Sequence, residues 1–532
     1  MKKTTTIILI FVSMFVGCLV GTFATLKAYK QHDIAIGSAG PNSYKLNAIW
    51  NLVNSRYVDP IEGDTLVERI YASILSTLDP HSNYLSGAAL AKETEALQGH
   101  FEGIGIVIKM LHDTVCVGQV IADGPSERAG LLAGDRILKV DGRKVAGVSM
   151  STDTVISLLR GPRKSTANIE ILRLSEGKTR NVKIVRDVIS TPSVTYSGMI
   201  DTKTGYIRLS RFGATTYEEF CQSLKALKDK GMQHLVLDLR ANGGGMLSAA
   251  IDICDELLPG RELIVYTKGA HQKRENAYSK PGGLFCQGKV TVIIDEFSAS
   301  ASEIVAGAIQ DNDRGSIVGR RSFGKGLVQQ QFSLPDNSAV LLTIARYYTP
   351  SGRCIQRPYD KGTDEYYADF LKHVAEEYNS DSILYQINDS TPYHTTKGRL
   401  VYGGGGIMPD HIIHIKSDPK VIYYNKLINK SIINDFAFNI VSLKGSEIKK
   451  MYPNEEIFVK NFNISDSQME ALFLAADKAG ITRDKTSIDS YRQEIKTRLK
   501  AEIGDMLYTN NAFYKLLLPY DPELKETLEV SK

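Results

Sequence analysis

The sequence predicts a multidomain α/β protein: an N-terminal helical segment, a small β-rich module, an α/β core with a mixed sheet and crossover helices, and a helical C-terminal region. Three observations carry this reading. Short β-branched runs alternate with helix-periodic segments between 205 and 331, the succession that builds a largely parallel sheet with crossover helices. A glycine-bearing, strand-rich stretch precedes them from 101, and from about 422 the pattern turns helical and rich in Lys and Glu. At 532 residues the chain has room for three or four domains, and a net charge of +4 with 23% charged residues leaves no nucleic-acid footprint. The expected divisions are 1–30, 41–100, 101–187, 188–415 with an insertion at 360–396, and 416–532.

The first division is a signal anchor or transmembrane segment. Lys2 and Lys3 precede an apolar run over 7–26, about the length of a bilayer crossing, and that positive flank puts Met1 in the cytoplasm. A cleaved signal peptide is the alternative, and Gly17-Cys18 offers a lipoprotein site. Against the lipoprotein stand Phe15, three places before the cysteine, and the apolar run that continues past it. The expectation is an uncleaved inner-membrane anchor with the rest of the chain in the periplasm; the other outcomes are a secreted or lipid-anchored protein. Six cysteines show no CxxC spacing and no histidines at metal-ligand intervals, so neither zinc nor any other metal is expected. Cys221 and Cys254 fall on apolar helical faces and read as buried thiols.

Over 41–99, Leu46, Ile49, Trp50, Val53 and Tyr57, then Leu66, Ile70, Ile74 and Leu78, recur at helical spacing. The turn LDPHSNYL follows at 78–85; His81 beside Ser82 is read there as ordinary turn chemistry, not as a Ser/His pair. FEGIGIVI at 101–108 is a glycine-bearing loop running into a strand. GPSERAGL at 124–131, GDRILKVDG at 134–142, a helix over 152–159 and a strand at 169–173 complete that module. GYIRL at 205–209 and HLVLDLR at 234–240 are strands, separated by a helix over 217–230. The second strand ends in ANGGG at 241–245, and a helix follows over 246–258. Glycines at the carboxyl end of a strand let backbone approach a ligand. GxxxxGK[ST] and GxGxxG are both absent, which argues against a nucleotide.

The most informative stretch is 290–331. VTVII at 290–294 suits a buried strand, and the small-residue turn SASAS at 298–302 leads into a helix with Ile304, Val305, Ala308 and Ile309 on one face. A hydroxyl on a strand-to-helix turn sits beside orphan N–H groups that stabilise a developing oxyanion. FGKGLVQ follows at 323–329; a lysine serves as base to a serine where burial lowers its pKa.

Ser300, Ala301 and Glu303, then Lys325 twenty-five residues after Ser300, then Gln329, closely resemble the C-terminal processing peptidases, or tail-specific proteases. These are serine endopeptidases with a Ser/Lys dyad. The resemblance extends to LDPHSNYL, to LRANGG at 239–244, to YYTPSGR at 347–353 and to GGGIMPD at 404–410, and it identifies 101–187 as similar to a PDZ domain.

The resemblance implies Ser300 as nucleophile, Lys325 as general base and Gln329 as its orienting partner. It implies the backbone N–H groups of Gly244 and Ala301 as oxyanion hole, and Asp311 as a polar family position with a supporting or capping role. Gly103, Ile104, Gly105 and Ile106 would hold a free, apolar peptide C-terminus in the PDZ groove. Protein substrates, no organic or metal cofactor and the membrane anchor are then the expected partners. The helical C-terminal region is left as a dimerisation domain, a lid or a brace. A catalytically silent PDZ scaffold in the cell envelope is the rival from another class. A Ser/His hydrolase lacks both a GxSxG elbow and any histidine between His271 and His373.

Overall fold

The computed structural model describes residues 41–111, 113–379, 392–414 and 418–531. The chain divides into two compact units, Met1–Ser73 and Ile74–Lys532. In the first, helices Pro41–Arg56 and Gly63–Ser76 follow the apolar spacing read from the sequence, and Trp50, Val53, Leu66 and Ile70 line one trough.

The anchor expectation needs correcting. A helical span requires about 20 consecutive apolar residues. Among the described residues no helix is long and apolar enough to cross a membrane. The longest, Lys485–Leu507, carries Asp, Glu, Lys and Arg throughout. The apolar run over 7–26 lies outside the described residues, so inner-membrane anchoring and a periplasmic location are not carried forward.

The second unit begins with helix Gly87–Gln98 and the β-rich module. Its sheet runs in the order Ile106–Leu111, Thr114–Val120, Arg136–Val140, Thr166–Arg173, Lys178–Val185. Alternation of apolar residues buries Val115, Val117, Ile137, Ile169, Ile171 and Ile184 on one face, where helix Thr152–Leu159 contributes Val155 and Leu159. Ile106–Leu111 is the edge strand of this sheet, so one side of its backbone is open to a further strand.

The core is the mixed sheet that the alternating pattern predicts. Val194–Met199 runs antiparallel to Thr204–Leu209. His234–Asp238, Lys289–Ile294, Ser316–Gly319 and His411–Ile412 then continue in parallel. Helices Thr216–Asp229, Leu247–Leu257 and Ala301–Asp311 make the crossovers and close one apolar cluster, with Phe212, Phe220, Leu237, Ile253, Val292 and Ile309 fully buried. Every residue of Ala301–Asp311 is buried, which explains its small composition: a Cβ on Gly307 would meet Thr349 Cγ2 at 2.8 Å. A second sheet is built around Ala339–Tyr348, which pairs with Asn83–Leu85, Leu263–Lys268 and Leu327–Ser333. Helix Thr363–Asn379 occupies most of the described insertion.

From Ile422 the chain is helical, with Phe438, Phe458, Met469, Leu472 and Leu499 in a core of its own. This region braces the module: Lys109 pairs with Asp435 at 2.6 Å, and Gln119 Nε2 donates to the Asp505 carbonyl at 2.7 Å. Its last helix, Pro522–Val530, seats Leu524 on Tyr196, Tyr206, Val236 and Ile293 of the core sheet. The five described cysteines are free thiols.

The contact between module and brace is tight at Gly134, whose φ is +96°; a Cβ there would lie 2.4 Å from Ser442 Cα, a backbone atom with little room to yield. We expect Gly134→Ala to destabilise the chain by about 1–3 kcal/mol, the usual cost of overpacking. Urea unfolding would register it as a lower midpoint; an unchanged midpoint would mean that the two surfaces are not packed as described.

Candidate active site

Strands His234–Asp238, Lys289–Ile294 and Ser316–Gly319 lie side by side, and their carboxyl ends open into three neighbouring loops. Open α/β sheets place their sites at such ends. The first loop carries Asn242 and Gly244, the second Ser300, the third Lys325.

Ser300 has φ 55° and ψ −113°, a region a residue with a side chain rarely occupies. The turn is pinned from both sides: Ala299 N donates to the Asn242 carbonyl at 3.0 Å, and Glu303 Oε2 accepts from Ser300 N at 2.8 Å. The three serines of SASAS separate here. Ser298 and Ser302 are wholly buried and donate to the carbonyls of Leu239 and Asn242, both at 2.8 Å. Ser300 is only half-buried.

Glu303 joins the second loop to the third. Its Oε1 accepts from Ser322 Oγ at 2.6 Å and Gly324 N at 2.7 Å; its Oε2 accepts from Ser300 N and from Lys325 N at 2.9 Å. The backbone N–H groups of Ser300 and Lys325 therefore share one side-chain acceptor, Glu303 Oε2. Burial pushes the Glu303 carboxyl up to about 7, and the four donors oppose that rise. Tyr347 adds a second tie: its hydroxyl lies 2.6 Å from the Lys325 carbonyl and 3.2 Å from that of Ser300.

Lys325 is largely enclosed. Burial lowers its pKa from the usual lysine value, while Glu303, then Glu93 and Asp79, pull it back up. The surroundings come from three segments. Arg357 stacks on Phe323, Tyr366 and Phe370, so helix Thr363–Asn379 closes over the Phe323 side of the loop. His81 Nε2 lies 3.2 Å from Tyr366 Oη, and burial together with Lys325 lowers its pKa to about 4, which keeps it neutral. Gln329 donates to Thr343 Oγ1 at 3.3 Å, and Thr343 Oγ1 donates to Asp79 Oδ1 at 3.1 Å.

The turn at 78–85 is therefore part of the lysine's surroundings, which the sequence reading missed. Ser82 Oγ donates to Asp79 at 2.6 Å, so no Ser82–His81 pair forms. The signal was present as a quoted motif, but turn chemistry accounted for every residue in it without a distant partner.

Gly244 and Ala301 come together. A Cβ on Gly244, at φ +96°, would lie 2.8 Å from Ala301 N and 2.8 Å from Ser300 Cβ, so only glycine permits the approach. Its own N–H donates to Asn242 Oδ1 at 2.9 Å. Asp311 is not brought to Ser300 or Lys325. It ends the helix that Ser300 begins, about 15 Å along its axis, and forms a fully buried pair with Arg353 at 2.7 Å. It also accepts from Ser351 N at 3.1 Å, so its partners belong to the TPSGR turn.

In the module, Gly103, Ile104, Gly105 and Ile106 line one groove with Ile156 and Leu159. Ser126 fixes the loop by donating N–H and Oγ to the Ile104 carbonyl at 3.0 and 2.6 Å. Arg160, which the sequence reading did not single out, lines the same groove, stacks on Phe101 and pairs with Glu95. Among the described residues no group of His, Cys, Asp and Glu is arranged to hold a metal ion.

Residues 203–364 match peptidase family S41, 103–185 match the PDZ domain, and 423–509 match a family of unknown function (DUF8443). The chain is 37% identical over 324 residues to the carboxy-terminal-processing protease of Bartonella bacilliformis, covering 59% of this chain and 74% of that protein. It is 30% identical over 329 residues to carboxy-terminal processing protease CtpA of Bacillus subtilis, covering 60% and 68%. Among solved structures, the photosystem II D1 C-terminal processing protease aligns at 29% identity and a TM-score of 0.35, over 59% of this chain and 83% of that one. The PDZ domain of a Vibrio cholerae carboxy-terminal protease, solved with a peptide, aligns at 34% identity and a TM-score of 0.16, over 17% of this chain and 97% of that one.

Glu303 gives the site a pH signature. Its folded pKa of about 7 stands above the ordinary 4.5, so the folded state holds the proton more tightly. The stability this supplies is fully present below 4.5 and is lost as pH rises through 7. We expect Glu303→Gln to flatten that slope. It should also cost about 1–3 kcal/mol for each donor the amide fails to satisfy. Thermal midpoints of both proteins across this range would check it; parallel pH profiles would refute the assignment.

Proposed function

The chain belongs to the carboxy-terminal-processing proteases of peptidase family S41, and from that footing we propose that it cuts protein chains with Ser300 as nucleophile and Lys325 as base. The observation that carries the proposal is the shared carboxylate: one oxygen of Glu303 accepts from both Ser300 N and Lys325 N.

Lys325 takes the Ser300 hydroxyl proton as the oxygen attacks the scissile carbonyl, then returns a proton to the leaving amine. A second passage with water frees the acyl group. The step needs a neutral amine, and a lysine at about 10.4 is almost wholly protonated near pH 7. Enclosure of Lys325 supports the required fall, and a neutral His81 adds no competing charge. The tetrahedral oxygen is received by the Ala301 N–H at the start of the helix. The Gly244 N–H joins it by exchanging its bond to Asn242 when substrate enters. Gln329 steadies the lysine side chain from the strand that follows it.

The PDZ domain reads the substrate's tail. The N–H groups of the loop at Gly103–Ile106 receive a free carboxylate, the tail adds as a strand beside Ile106–Leu111, and Ile104, Ile156 and Leu159 favour an apolar last side chain.

Ser300→Ala should abolish cleavage while the thermal midpoint stays near that of the parent, because Ser300 is a half-buried turn residue. If Ser298→Ala or Ser302→Ala loses activity and Ser300→Ala keeps it, the nucleophile is misassigned. Lys325→Arg should be as inactive as Lys325→Ala, since arginine cannot give up its proton. In the parent, kcat/KM should climb with pH through the lowered lysine pKa. Substantial turnover by Lys325→Arg would end the dyad mechanism. Matched unfolded substrates test the tail: amidated or charged C-termini should be cut more slowly than free apolar ones. Equal rates would leave the protease and remove the tail reading.

A further inference from the structure

The three loops of the site share an anchor supplied by the C-terminal region, whereas Glu303 joins only the second and third. Arg240 immediately precedes the Ala241–Gly245 turn, and Arg320 precedes the loop that carries Lys325. Both reach the start of helix Pro522–Val530. Arg240 Nη2 lies 2.7 Å from Asp521 Oδ2, and its Nη1 lies 2.9 Å from Glu523 Oε2. Arg320 Nη1 lies 2.6 Å from Glu523 Oε1. Arg320 Nε then donates to Glu296 at 2.7 Å, four residues before Ser300. The two oxygens of Glu523 thus take one arginine each, and through Arg320 the Ser300 turn is tied in as well.

The arrangement is more than a surface ion pair. The side chains of Arg240, Arg320 and Glu296 are 11%, 6% and 5% exposed, and Arg240 also grips the fully buried Asp238 at 2.6 Å. Removing one partner from such a set leaves an uncompensated buried charge. The helix itself is held independently, by Leu524 on the core sheet and by Lys289 Nζ and Thr291 Oγ1 on Ser531. Glu523 can therefore be changed while the helix keeps its seat.

We propose that Glu523, with Asp521, is a positioning residue for catalysis: the C-terminal helix sets the spacing between the oxyanion turn, the Ser300 turn and the Lys325 loop. The inference rests on the Ser300/Lys325 reading. A displacement of about 1 Å between such groups costs on the order of 100-fold in rate, whereas substrate binding in the PDZ groove is untouched.

The experiment uses the full-length chain. Glu523→Gln keeps the size of the side chain and removes the charge that holds two guanidinium groups; Asp521→Asn tests the second carboxylate; Glu529→Gln, exposed near the end of the same helix, is the control. Steady-state kinetics on an unfolded protein substrate are measured with the folded fraction read by near-ultraviolet circular dichroism. The expected result is a fall in kcat of tenfold or more for Glu523→Gln with KM within about twofold, a smaller fall for Asp521→Asn, no change for Glu529→Gln, and kcat expressed per folded molecule. A kcat that falls only in proportion to the folded fraction, or not at all, overturns the proposal. Should Glu523→Gln fail to fold, Glu523→Asp, which keeps the charge on a shorter arm, must still lower kcat per folded molecule, and an unchanged value there also overturns it. Ser300→Ala run alongside separates the two claims. An inactive Ser300→Ala with a fully active Glu523→Gln removes this inference alone, and an active Ser300→Ala removes the dyad beneath it.

Discussion

The site depends on a buried carboxylate that is fully surrounded by donors. Stripping an ionised carboxyl of water is costly unless hydrogen bonds replace it. Glu303 meets the requirement with four, three of them backbone N–H groups drawn from two different loops. The loops are consequently not free to move apart, because separation would leave the buried carboxyl without its donors. The same bonds sustain the left-handed conformation of Ser300. A non-glycine residue held there costs about 1–3 kcal/mol, and a hydrogen bond to a charged group returns about 1.5–3 kcal/mol. Four such bonds outweigh one strained residue, so the exposed hydroxyl at the tip of the turn is stable as a consequence of what lies beneath it.

The lysine is governed by the same burial. The donors around Glu303 oppose the rise of its pKa without cancelling it; enclosure of Lys325 disfavours its charged form, and Glu303, Glu93 and Asp79 oppose that fall. The carboxylates that reach it are themselves engaged: Glu303 by backbone N–H groups and Asp79 by Ser82, Thr343 and the N–H of His81. Arg357, a permanent cation close by, is stacked on three aromatic rings and donates to the Phe323 carbonyl at 2.8 and 3.0 Å, which fixes it on the outer side of the loop. Both groups are buried, and burial moves each toward its neutral form: the Glu303 carboxyl up to about 7 against the pull of its donors, and the Lys325 amine down against the pull of nearby carboxylates.

Local pattern carried most of the fold. In the PDZ domain helix Thr152–Leu159 has the bounds read for it, and the strand read at 169–173 lies within Thr166–Arg173. The crossover helices expected over 217–230 and 246–258 shift by only a residue at their ends. The relation of Ser300 to Lys325 was legible as a motif, because both lie on loops of adjacent strands. What the sequence hid was contact at long range. Nothing local in LDPHSNYL states that Asp79 and His81 will sit at a lysine more than 240 residues later. Nothing in the Lys- and Glu-rich tail distinguishes Asp521 and Glu523 from the solvated acids around them. Asp311 shows the converse: a polar residue on the helix that starts at Ser300 seemed close in sequence, yet a rigid helix carries it to the opposite end, where Arg353 neutralises it. The anchor over 7–26 was a local hydropathy signal of the clearest kind, and the described helices contain no span to set beside it.

The C-terminal helices have a physical reason to be there beyond bulk. The module lies between Asn83–Leu85, which pairs with Ala339–Tyr348, and Val194–Met199 of the core sheet, so two crossings of the chain join it to the core, and His100–Gly103 pairs with Asp187–Ser190 where they meet. Here the same helical region touches both: Asp435 and Asp505 hold Lys109 and Gln119 of the module's first two strands, and Leu524 lies under the core sheet. Lys109 belongs to the edge strand beside which a peptide would add, so the strand is steadied from the brace while its open edge is left unpaired. At the module the connection is both apolar and polar: Cys116, Leu111 and Ala133 pack into the core of the brace, Gly134 lies against Ser442, and Lys109 and Gln119 add polar ties; at the core the last helix seats Leu524 beside buried charges.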